Sequence, residues 1–376
     1  MIELSPAVAA AYLLQRVALA ERFPRGDKGI IALLDRLDLV QLDPIDRCGQ
    51  NADLVVGARV EGAKRGDVHR VLKGRSFEHF AKERCIVHAR HFAHYRAQAV
   101  ETPWWRNSER MQKLDEGLVG DVLAEVSERG PLTTNELSPR GKTEPMDWAG
   151  WKGTSRLEVL AIEVLWTRCA VVVSGRDARG RRVYDLPERA LPGVPLDPPA
   201  EPFAEAMILA RVRSAGLLAR AGGPTWSMLG EARTDGTVER MVADGRLVEV
   251  RVGRRPYLAE HGIVAATAER PSTGAVVLGP LDPLLWDRAL VRDAFGFGYT
   301  WEVYKPAAQR EYGYYVCPVL IDGHLAGRVE ARRDGNTLRV ERTWGDMPRR
   351  ALDIALSRLA KMNDCVAIDM SRTPLV

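Results

Sequence analysis

The sequence is poor in cysteine and lacks any long apolar run. Its five cysteines among 376 residues are scattered, odd in number and form no Cys-x-x-Cys pair, which argues against a disulfide framework or a structural zinc site. No apolar stretch reaches the length that a membrane span needs, and the first six residues lack the charged and apolar regions of a signal peptide. We therefore predict a cytoplasmic protein without a membrane segment.

Short motifs that mark several large enzyme classes are also missing. The sequence has no phosphate-binding Gly-Lys-Ser/Thr loop, no Gly-x-Ser-x-Gly elbow and no zinc-deaminase motif. His88, His91 and His94 recur every three residues, but a zinc site usually needs a fourth ligand. We expect neither a metal ion nor another cofactor.

Composition and charge fit a soluble globular protein with a mildly basic surface. Hydrophobic residues make up 46% of the chain, charged residues 28%, and the formal net charge is +4. Such a charge does not by itself indicate nucleic-acid binding, so local clusters matter more. Three arginine clusters lie at Arg176, Arg179, Arg181 and Arg182, at Arg251, Arg254 and Arg255, and at Arg328, Arg332 and Arg333. Each is as typical of a solvated turn as of a contact with phosphate.

Two stretches share a layout of helices followed by a β-hairpin with arginines at its tip. The first has Thr133 and Glu136 at capping-box spacing where a helix would open, a helix at 155–167, and strands at 170–174 and 183–186. The second has helices at 204–215 and 237–243 and strands at 247–252 and 257–259. This layout describes a winged helix, whose usual partner is duplex nucleic acid. Winged helices also serve as protein-interaction modules, so a protein partner stays open as an alternative.

The first hundred residues fit a third copy, and the last hundred differ in character. Helices are expected at 7–19 and 28–37, followed by a strand at Gln41 and a helical insertion between Val68 and Gln98, where Phe77, Phe80, Ala81 and Arg84 follow the spacing of one helix face. Near the C-terminus, Asp322-Gly323 between two β-rich runs is a strong hairpin signal, and a last helix is expected at 349–362. Trp104 and Trp105 are expected to pack in the interior.

We therefore predict an α+β fold that is mainly α, with three tandem winged-helix domains, β-hairpin wings and a β-rich C-terminal segment. The predicted boundaries are 1–110 for domain 1 with its helical insertion, 111–200 for domain 2 and a proline-rich linker, 201–270 for domain 3, and 271–376 for the C-terminal region.

The stretch from Leu39 to Asp46 is the most informative for function. It reads as a short strand, so Gln41 and Asp43 would point to one face while Val40 and Leu42 anchor the other. An amide and a carboxylate presented together can hold and activate a water molecule, which is the minimum equipment of a hydrolase. Taken alone, the same pattern is more typical of a polar strand end before Pro44.

Several longer motifs favour the hydrolase site over a polar strand end. They are Val-Gln-Leu-Asp-Pro-Ile at 40–45, Phe-Glu-His-Phe at 77–80, Val-Tyr-Asp-Leu-Pro-Glu-Arg at 183–189, Leu-Gly-Pro-Leu-Asp-Pro at 278–283, Tyr-Thr-Trp-Glu-Val-Tyr-Lys-Pro at 299–306 and Tyr-Gly-Tyr-Tyr at 312–315. With these motifs in this order, the chain resembles the winged-helix DNA glycosylase family of YcaQ and AlkZ from about Ala7 to Trp344.

The resemblance implies an enzyme that hydrolyses the N-glycosidic bonds of alkylated purines, including those in interstrand crosslinks. Its partner would be double-stranded DNA of the nucleoid, and we expect a monomer. Gln41-Leu42-Asp43 matches the Gln-apolar-Asp motif of the YcaQ branch, which makes Gln41 and Asp43 the expected catalytic residues. Where family members often carry a His-His pair, this chain has Ala52-Asp53, so a changed activity or substrate range is expected.

Further residues are expected to contact DNA or to compete for the catalytic role. Arg47, Asn51, Lys305, Arg310 and His324 are the expected DNA-binding residues. Asp46 is an alternative carboxylate or a helix cap. No lysine adjoins Gln41 or Asp43 in the sequence, so we expect a monofunctional, metal-independent enzyme without a Schiff-base lyase step. The rival interpretation is a non-catalytic winged-helix DNA-binding protein or regulator.

Overall fold

The computed structural model describes residues 1–21, 23–101, 114–143 and 154–371. Trp104, Trp105 and the expected boundary at residue 110 lie outside these ranges. The described helices are α1 Pro6–Arg16, α2 Asp27–Leu37, α3 Asn51–Gly57, α4 Asp67–Val71, α5 Phe92–Glu101, α6 Glu116–Arg129, α7 Leu157–Thr167, α8 Pro187–Ala190, α9 Phe203–Ala215, α10 Thr237–Ala243, α11 Arg288–Phe295 and α12 Arg349–Met362.

Seventeen strands accompany them within the described residues. They are β1 Ile2–Leu4, β2 Leu39–Gln41, β3 Ser76–Ala81, β4 Glu83–His88, β5 Leu132–Thr133, β6 Lys142–Thr143, β7 Ser155–Arg156, β8 Val172–Arg176, β9 Arg182–Asp185, β10 Leu218–Ala219, β11 Val248–Val252, β12 Arg255–Ala259, β13 Ala275–Val277, β14 Val316–Ile321, β15 His324–Asp334, β16 Thr337–Trp344 and β17 Ala367–Asp369. The α+β class predicted from the sequence is confirmed.

The chain forms two compact units. The first contains Met1–Val71, Phe80–Cys85 and Met207–Val376, and the second contains Leu72–His79 and Ile86–Ala206. The division into three winged helices and a C-terminal region stays a prediction. No helix within the described ranges is both long and apolar enough to cross a bilayer.

In the first unit, a five-stranded sheet in the order β13-β14-β15-β16-β17 carries helix α12 on its apolar face. The predicted hairpin is confirmed between β14 and β15, where Ile321 pairs with His324. Asp322 and Gly323 both have positive φ, of 43° and 79°. A two-residue hairpin turn of this type matches the twist of the flanking strands and favours Asp-Gly.

The same unit contains a four-stranded sheet in the order β1-β11-β12-β10. Strands β11 and β12 form an antiparallel hairpin with Val252 paired to Arg255, as the sequence predicted. The N-terminal strand β1 joins it in parallel, with Ile2 opposite Val250. Helix α1 packs on this sheet through residues that include Tyr12 and Leu13, which are almost fully buried. This core holds the N-terminal segment in place ahead of β2.

The predicted helical insertion is wrong. Phe77, Phe80, Ala81 and Arg84 lie on strands β3 and β4, which belong to a three-stranded sheet in the order β2-β4-β3. Glu83 has a φ of 56°, which lets the chain reverse after Lys82. Spacings of three and four over eight residues do not separate one helix face from two strands joined by a tight turn. Aromatic and β-branched residues here favoured the strands.

In the second unit, helices α6 and α7 accompany a sheet in the order β5-β9-β8. The predicted β8–β9 hairpin is confirmed, but two of its arginines are not free for phosphate. Arg176 and Arg182 both form ion pairs with the buried Glu78. No helix opens at Thr133, which lies on β5. Instead the Glu136 carboxylate accepts hydrogen bonds from the Thr133 N–H and hydroxyl, both at 2.8 Å.

Candidate active site

Gln41 is the last residue of strand β2, which is shorter than predicted. Leu39 and Val40 are fully buried and anchor the strand, and the Gln41 side chain is only 4% exposed. The Leu42 N–H donates to the Arg84 carbonyl at 2.8 Å, which holds the chain against β4 just beyond the strand end. Asp43 therefore follows the strand and is half-buried.

The Gln41 side chain is fixed through its carbonyl oxygen. Lys82 Nζ donates to Gln41 Oε1 at 3.0 Å. A lysine ammonium only donates hydrogen bonds, so the chemistry defines which end of the amide faces it. Within the described residues the Gln41 side chain makes no other hydrogen bond, so its N–H groups remain available to a water molecule or a substrate.

Lys82 is a neighbour that the sequence did not reveal. Its side chain is buried against the ring of Trp286, 5.5 Å from the ring centroid. Burial lowers the pKa of Lys82 to about 8, because the protein interior disfavours its charged form. The expectation that no lysine lies beside Gln41 is wrong, because the β3–β4 turn brings Lys82 to Gln41 from 41 residues away in the chain.

Among the described residues, Asp43 uses only one of its two carboxylate oxygens in a hydrogen bond. Its Oδ1 accepts the Ile45 N–H at 2.8 Å, which fixes the turn through Pro44. Within the described part of the chain, Oδ2 has no hydrogen-bond partner. Burial raises the pKa of Asp43 above its ordinary value, and the hydrogen bond from Ile45 opposes that rise. The arrangement provides a carboxylate that is less solvated, and therefore more basic, than one in water.

Asp46 does not compete with Asp43 for a catalytic role. Both of its carboxylate oxygens pair with the guanidinium of Arg65, one of them at 2.7 Å. It also does not cap α3, whose N-cap residue is Gln50. Both oxygens of Asp46 are thus occupied by Arg65, whereas Asp43 Oδ2 has no hydrogen-bond partner within the described residues.

A model of the family described as DNA glycosylase AlkZ-like matches residues 34–362, which is most of the chain. The chain belongs to the AlkZ-like DNA glycosylase family. The match confirms the resemblance seen in the sequence motifs. It also makes DNA the partner of the molecule.

A solved structure, the Streptomyces sahachiroi DNA glycosylase AlkZ, is similar over the full length of both chains. The sequence identity is 18%, the coverage is 100% of each chain and the TM-score is 0.63. At this identity the likeness shows a shared fold. It supports the α+β architecture of this AlkZ-like chain.

Three of the expected DNA-binding residues lie in one region of the AlkZ-like chain. The guanidinium groups of Arg47 and Arg310 lie 5.8 Å and 5.0 Å from the ring centroid of Tyr314. Arg310 Nε donates to the Lys305 carbonyl at 2.9 Å, and Lys305 Nζ donates to Glu302 at 2.7 Å. These contacts place the three cations on one surface of the first unit.

Tyr304 adds an exposed aromatic ring to this region. Its side chain is 82% exposed and meets the ring of Trp301 edge-to-face at 5.6 Å. Partial burial and, to a smaller extent, the charge of Asp43 raise the pKa of Tyr304. An exposed aromatic side chain is a suitable platform for a nucleobase.

The other two expected DNA-binding residues lie in different surroundings: Asn51 is buried and His324 is exposed. Asn51 is fully buried: Nδ2 donates to the Gln41 carbonyl at 2.8 Å and to the Leu281 carbonyl at 3.3 Å, and Oδ1 accepts the Leu281 N–H at 3.2 Å. Asn51 therefore supports the backbone of Gln41 from inside the protein. His324 lies at the tip of the β14–β15 hairpin, where its Nδ1 is 2.8 Å from Arg270.

Ala52 and Asp53, which stand where family members often carry a His-His pair, are also buried. Ala52 is buried, and Asp53, only 4% exposed, accepts the Gly66 N–H at 3.1 Å. Burial raises the pKa of Asp53 to about 6, against the opposing effects of the Gly66 hydrogen bond and the charge of Arg65. Asp53 thus does not add an exposed negative charge where phosphates would approach.

The described residues contain no cluster of three or more side chains suited to hold a metal ion. The rings of His91 and His94 are 6.1 Å apart, and His94 faces Glu201 at 3.7 Å. A separate cavity of about 910 Å³ lies between residues 57–64 and helix α12. Neither Gln41 nor Asp43 lines it, so it is distinct from the candidate site.

Proposed function

We propose that this protein is a monofunctional, metal-independent DNA glycosylase that removes alkylated purines from duplex DNA, including purines in interstrand crosslinks. The observation that carries the proposal is the state of Gln41 and Asp43. Each side chain has one polar atom fixed by a hydrogen bond, and its other polar atom has no hydrogen-bond partner in the described part of the chain, so it can bind substrate or water. A pair held in this way meets the needs of a hydrolase.

The departing base needs little assistance from the enzyme. A purine alkylated at N7 or N3 carries positive charge, so the bond from C1′ to the base nitrogen breaks without much help from an acid. The sugar then has oxocarbenium character, which a carboxylate stabilises in glycoside hydrolysis. Asp43 supplies that charge and accepts a proton from the attacking water. The products are the free base and an abasic sugar.

Gln41 has the complementary role. Its N–H groups donate to the oxygen of the attacking water or of the sugar, and the water donates its proton to Asp43 Oδ2. Because Gln41 is held at its carbonyl end, little conformational freedom is lost when the water binds. Positioning of this kind is a large part of enzymatic rate enhancement.

DNA contact is proposed for the surface that carries Arg47, Lys305 and Arg310. The cations neutralise phosphates, and the exposed ring of Tyr304 stacks on a base. Glycosylases commonly turn the target base out of the helix, but a crosslinked base cannot leave the stack completely. The partial exposure of Asp43 suits such a substrate, since a fully enclosed carboxylate would require complete base flipping.

The test is the release of free base from defined DNA. Purified protein is incubated with a duplex that carries one 7-methylguanine, with the matched unmodified duplex, and with a nitrogen-mustard crosslinked duplex, each with and without EDTA. We expect base release and abasic-site formation from both alkylated duplexes, with no effect of EDTA. Binding to all three duplexes without any release would favour the non-catalytic DNA-binding interpretation.

A further inference from the structure

We propose that Lys82 is a positioning residue that holds the Gln41 side chain with its N–H groups turned toward the reacting centre. The inference rests on the proposed function, in which those N–H groups bind the attacking water or the sugar. It adds a residue that lies 41 positions away in the chain and outside the Gln41-Leu42-Asp43 motif.

The first argument is the direction of the hydrogen bond. Lys82 Nζ is 3.0 Å from Gln41 Oε1. Rotating the amide by 180° would place N–H groups against the ammonium, where both partners are donors and neither accepts. The lysine therefore selects one of the two amide orientations. Without it, a glutamine side chain would populate both, and only one presents donors to the substrate.

The second argument is a closed set of contacts around the two residues. The Asn51 side chain binds the Gln41 carbonyl at 2.8 Å and both backbone groups of Leu281. The Leu281 carbonyl also accepts from Trp286 Nε1 at 3.0 Å, and the Trp286 ring lies against Lys82 Nζ. The backbone and the side chain of Gln41 are thus held by one connected group of buried residues.

The third argument is that Lys82 carries a buried charge without a carboxylate partner among the described residues. The charged or titratable groups that act on it are Cys85 and Glu83 on β4, Arg288 on α11 and Arg211 on α9. Two of these are cations, and Glu83 is exposed. Burial of an unpaired ammonium opposes folding, so stability alone gives no reason for a lysine here. A functional role accounts for it.

A different role, as a nucleophile that attacks the abasic sugar, fits the geometry less well. A nucleophile needs a free lone pair directed at the substrate, whereas Lys82 Nζ is turned to Gln41 and the side chain is only 7% exposed. The two roles are separable by experiment, because only a nucleophile forms a covalent imine with the sugar aldehyde.

The first measurement compares Lys82→Met with the full-length wild type in single-turnover release of 7-methylguanine at pH 7. We expect the rate to fall about 10-fold to 100-fold, as for loss of one charge-assisted hydrogen bond, while the affinity for the duplex changes less than 2-fold. The melting temperature should stay equal or rise, since a buried charge is removed. Lys28→Met, which removes an exposed lysine on α2, is the matched control and should keep the wild-type rate.

The second measurement is the pH profile of the same step. Raising the pH through about 8 removes the proton from Lys82 and weakens the bond to Gln41, so the wild-type rate should fall there. Lys82→Arg, which keeps a charged donor, should retain activity at pH 7 and lose this alkaline fall, and Lys82→Met should also lack it. A fall near pH 8 that persists in both variants, or a wild-type rate in Lys82→Met, overturns the inference.

Borohydride reduction of the reaction provides the third measurement. We expect no trapped adduct between the wild-type protein and DNA that contains an abasic site. An adduct that disappears in Lys82→Arg would assign Lys82 as a nucleophile and overturn the positioning role. If the wild-type protein releases no alkylated base at all, the proposed function is contradicted, and so is this inference. Active wild type with an equally active Lys82→Met defeats only the inference.

Discussion

At the scale of single residues, the site is defined by which polar atoms are already occupied. Asp46 and Asp43 are three residues apart, yet Arg65 occupies both oxygens of Asp46 while the Ile45 N–H occupies only one oxygen of Asp43. The carboxylate with spare capacity is the one that the family motif singles out. Side-chain hydrogen bonding thus separates two carboxylates that the sequence left as alternatives.

Asp53 gives a prediction about stability and pH. Its pKa is about 6 in the folded protein, above the ordinary value of about 3.9. The folded state therefore holds the proton more tightly, and stability is lost as the pH rises from about 4 to about 6. Asp53→Asn keeps an oxygen for the Gly66 N–H and removes the charge, so it should raise the free energy of unfolding by about 2 kcal/mol at pH 7.5.

Urea unfolding of the wild type and of Asp53→Asn between pH 4 and pH 8 checks this expectation. The difference between the two proteins should be largest above pH 6 and should shrink toward pH 4, where the wild-type carboxyl is protonated. A variant that is less stable than the wild type at pH 7.5 would show that the ionised Asp53 contributes favourable contacts instead.

Some residue roles were within reach of the sequence and others were not. Gln41 and Asp43 were predictable as candidates because their motif is contiguous. Lys82 was not, since its approach to Gln41 depends on a turn in a segment that reads equally well as a helix. Asn51 was expected on a DNA-facing surface, but the amide that looked suited to DNA is fully used by Gln41 and Leu281.

At the scale of elements, a buried ion pair joins two distant segments of the first unit. Arg59, just after α3, forms hydrogen bonds of 2.7 Å and 2.9 Å with the two oxygens of Asp282, and both side chains are completely buried. Arg59 also donates to the Val17 and Val55 carbonyls. The motif at 278–283 therefore has a structural role: it supports the segment that follows Gln41 and Asp43.

Removing one partner of this pair should destabilise the protein strongly. Arg59→Met or Asp282→Leu alone leaves a buried charge uncompensated, which typically costs about 3–5 kcal/mol. The double variant should lose less than the sum of the two single variants, because no unpaired charge remains. Denaturant unfolding of the four proteins gives the coupling, and single variants within about 1 kcal/mol of the wild type would contradict the expected role.

The segment from Glu302 to Tyr312 gives a prediction about DNA contact. Glu302 accepts from Lys305 Nζ and from the Glu311 and Tyr312 N–H groups. These bonds outweigh burial and lower the pKa of Glu302 to about 2. The carboxylate stays ionised at neutral pH, so the segment that presents Tyr304 is held in a defined conformation.

Tyr304→Ala should weaken binding to alkylated duplex DNA about 5-fold to 100-fold, the range expected for loss of one stacked aromatic ring. Tyr304→Phe keeps the ring and should bind like the wild type, which makes it the matched control. Fluorescence anisotropy at fixed salt provides the affinities. Equal affinities for the alanine and wild-type proteins would remove Tyr304 from the DNA-binding surface.

Element prediction was reliable where local signals were strong. Helices α10 and α12 begin and end where the sequence placed them, and the Asp322-Gly323 hairpin follows from turn chemistry. The β3–β4 hairpin was missed because its turn, at Lys82 and Glu83, carries no glycine, proline or asparagine. The reversal depends on a positive φ at a glutamate, which local propensity does not indicate.

At the scale of the whole molecule, the family and the site point to one activity. The chain matches the AlkZ-like DNA glycosylase family over residues 34–362, and the catalytic candidates lie within that range. The net charge of +4 is small, so DNA binding should depend on the local cations around Tyr314 and should weaken as salt rises. Within that site, Asp43 is the residue proposed to drive base excision.

The decisive experiment for this role of Asp43 compares single-turnover release of 7-methylguanine from duplex DNA by the wild-type protein and by Asp43→Asn, with DNA affinity measured in parallel. Asparagine preserves shape and the acceptor for the Ile45 N–H but removes the charge and the basicity. We predict that the variant binds the alkylated duplex as tightly as the wild type and forms abasic sites at least about 100-fold more slowly. Base release by Asp43→Asn at the wild-type rate would contradict the assignment.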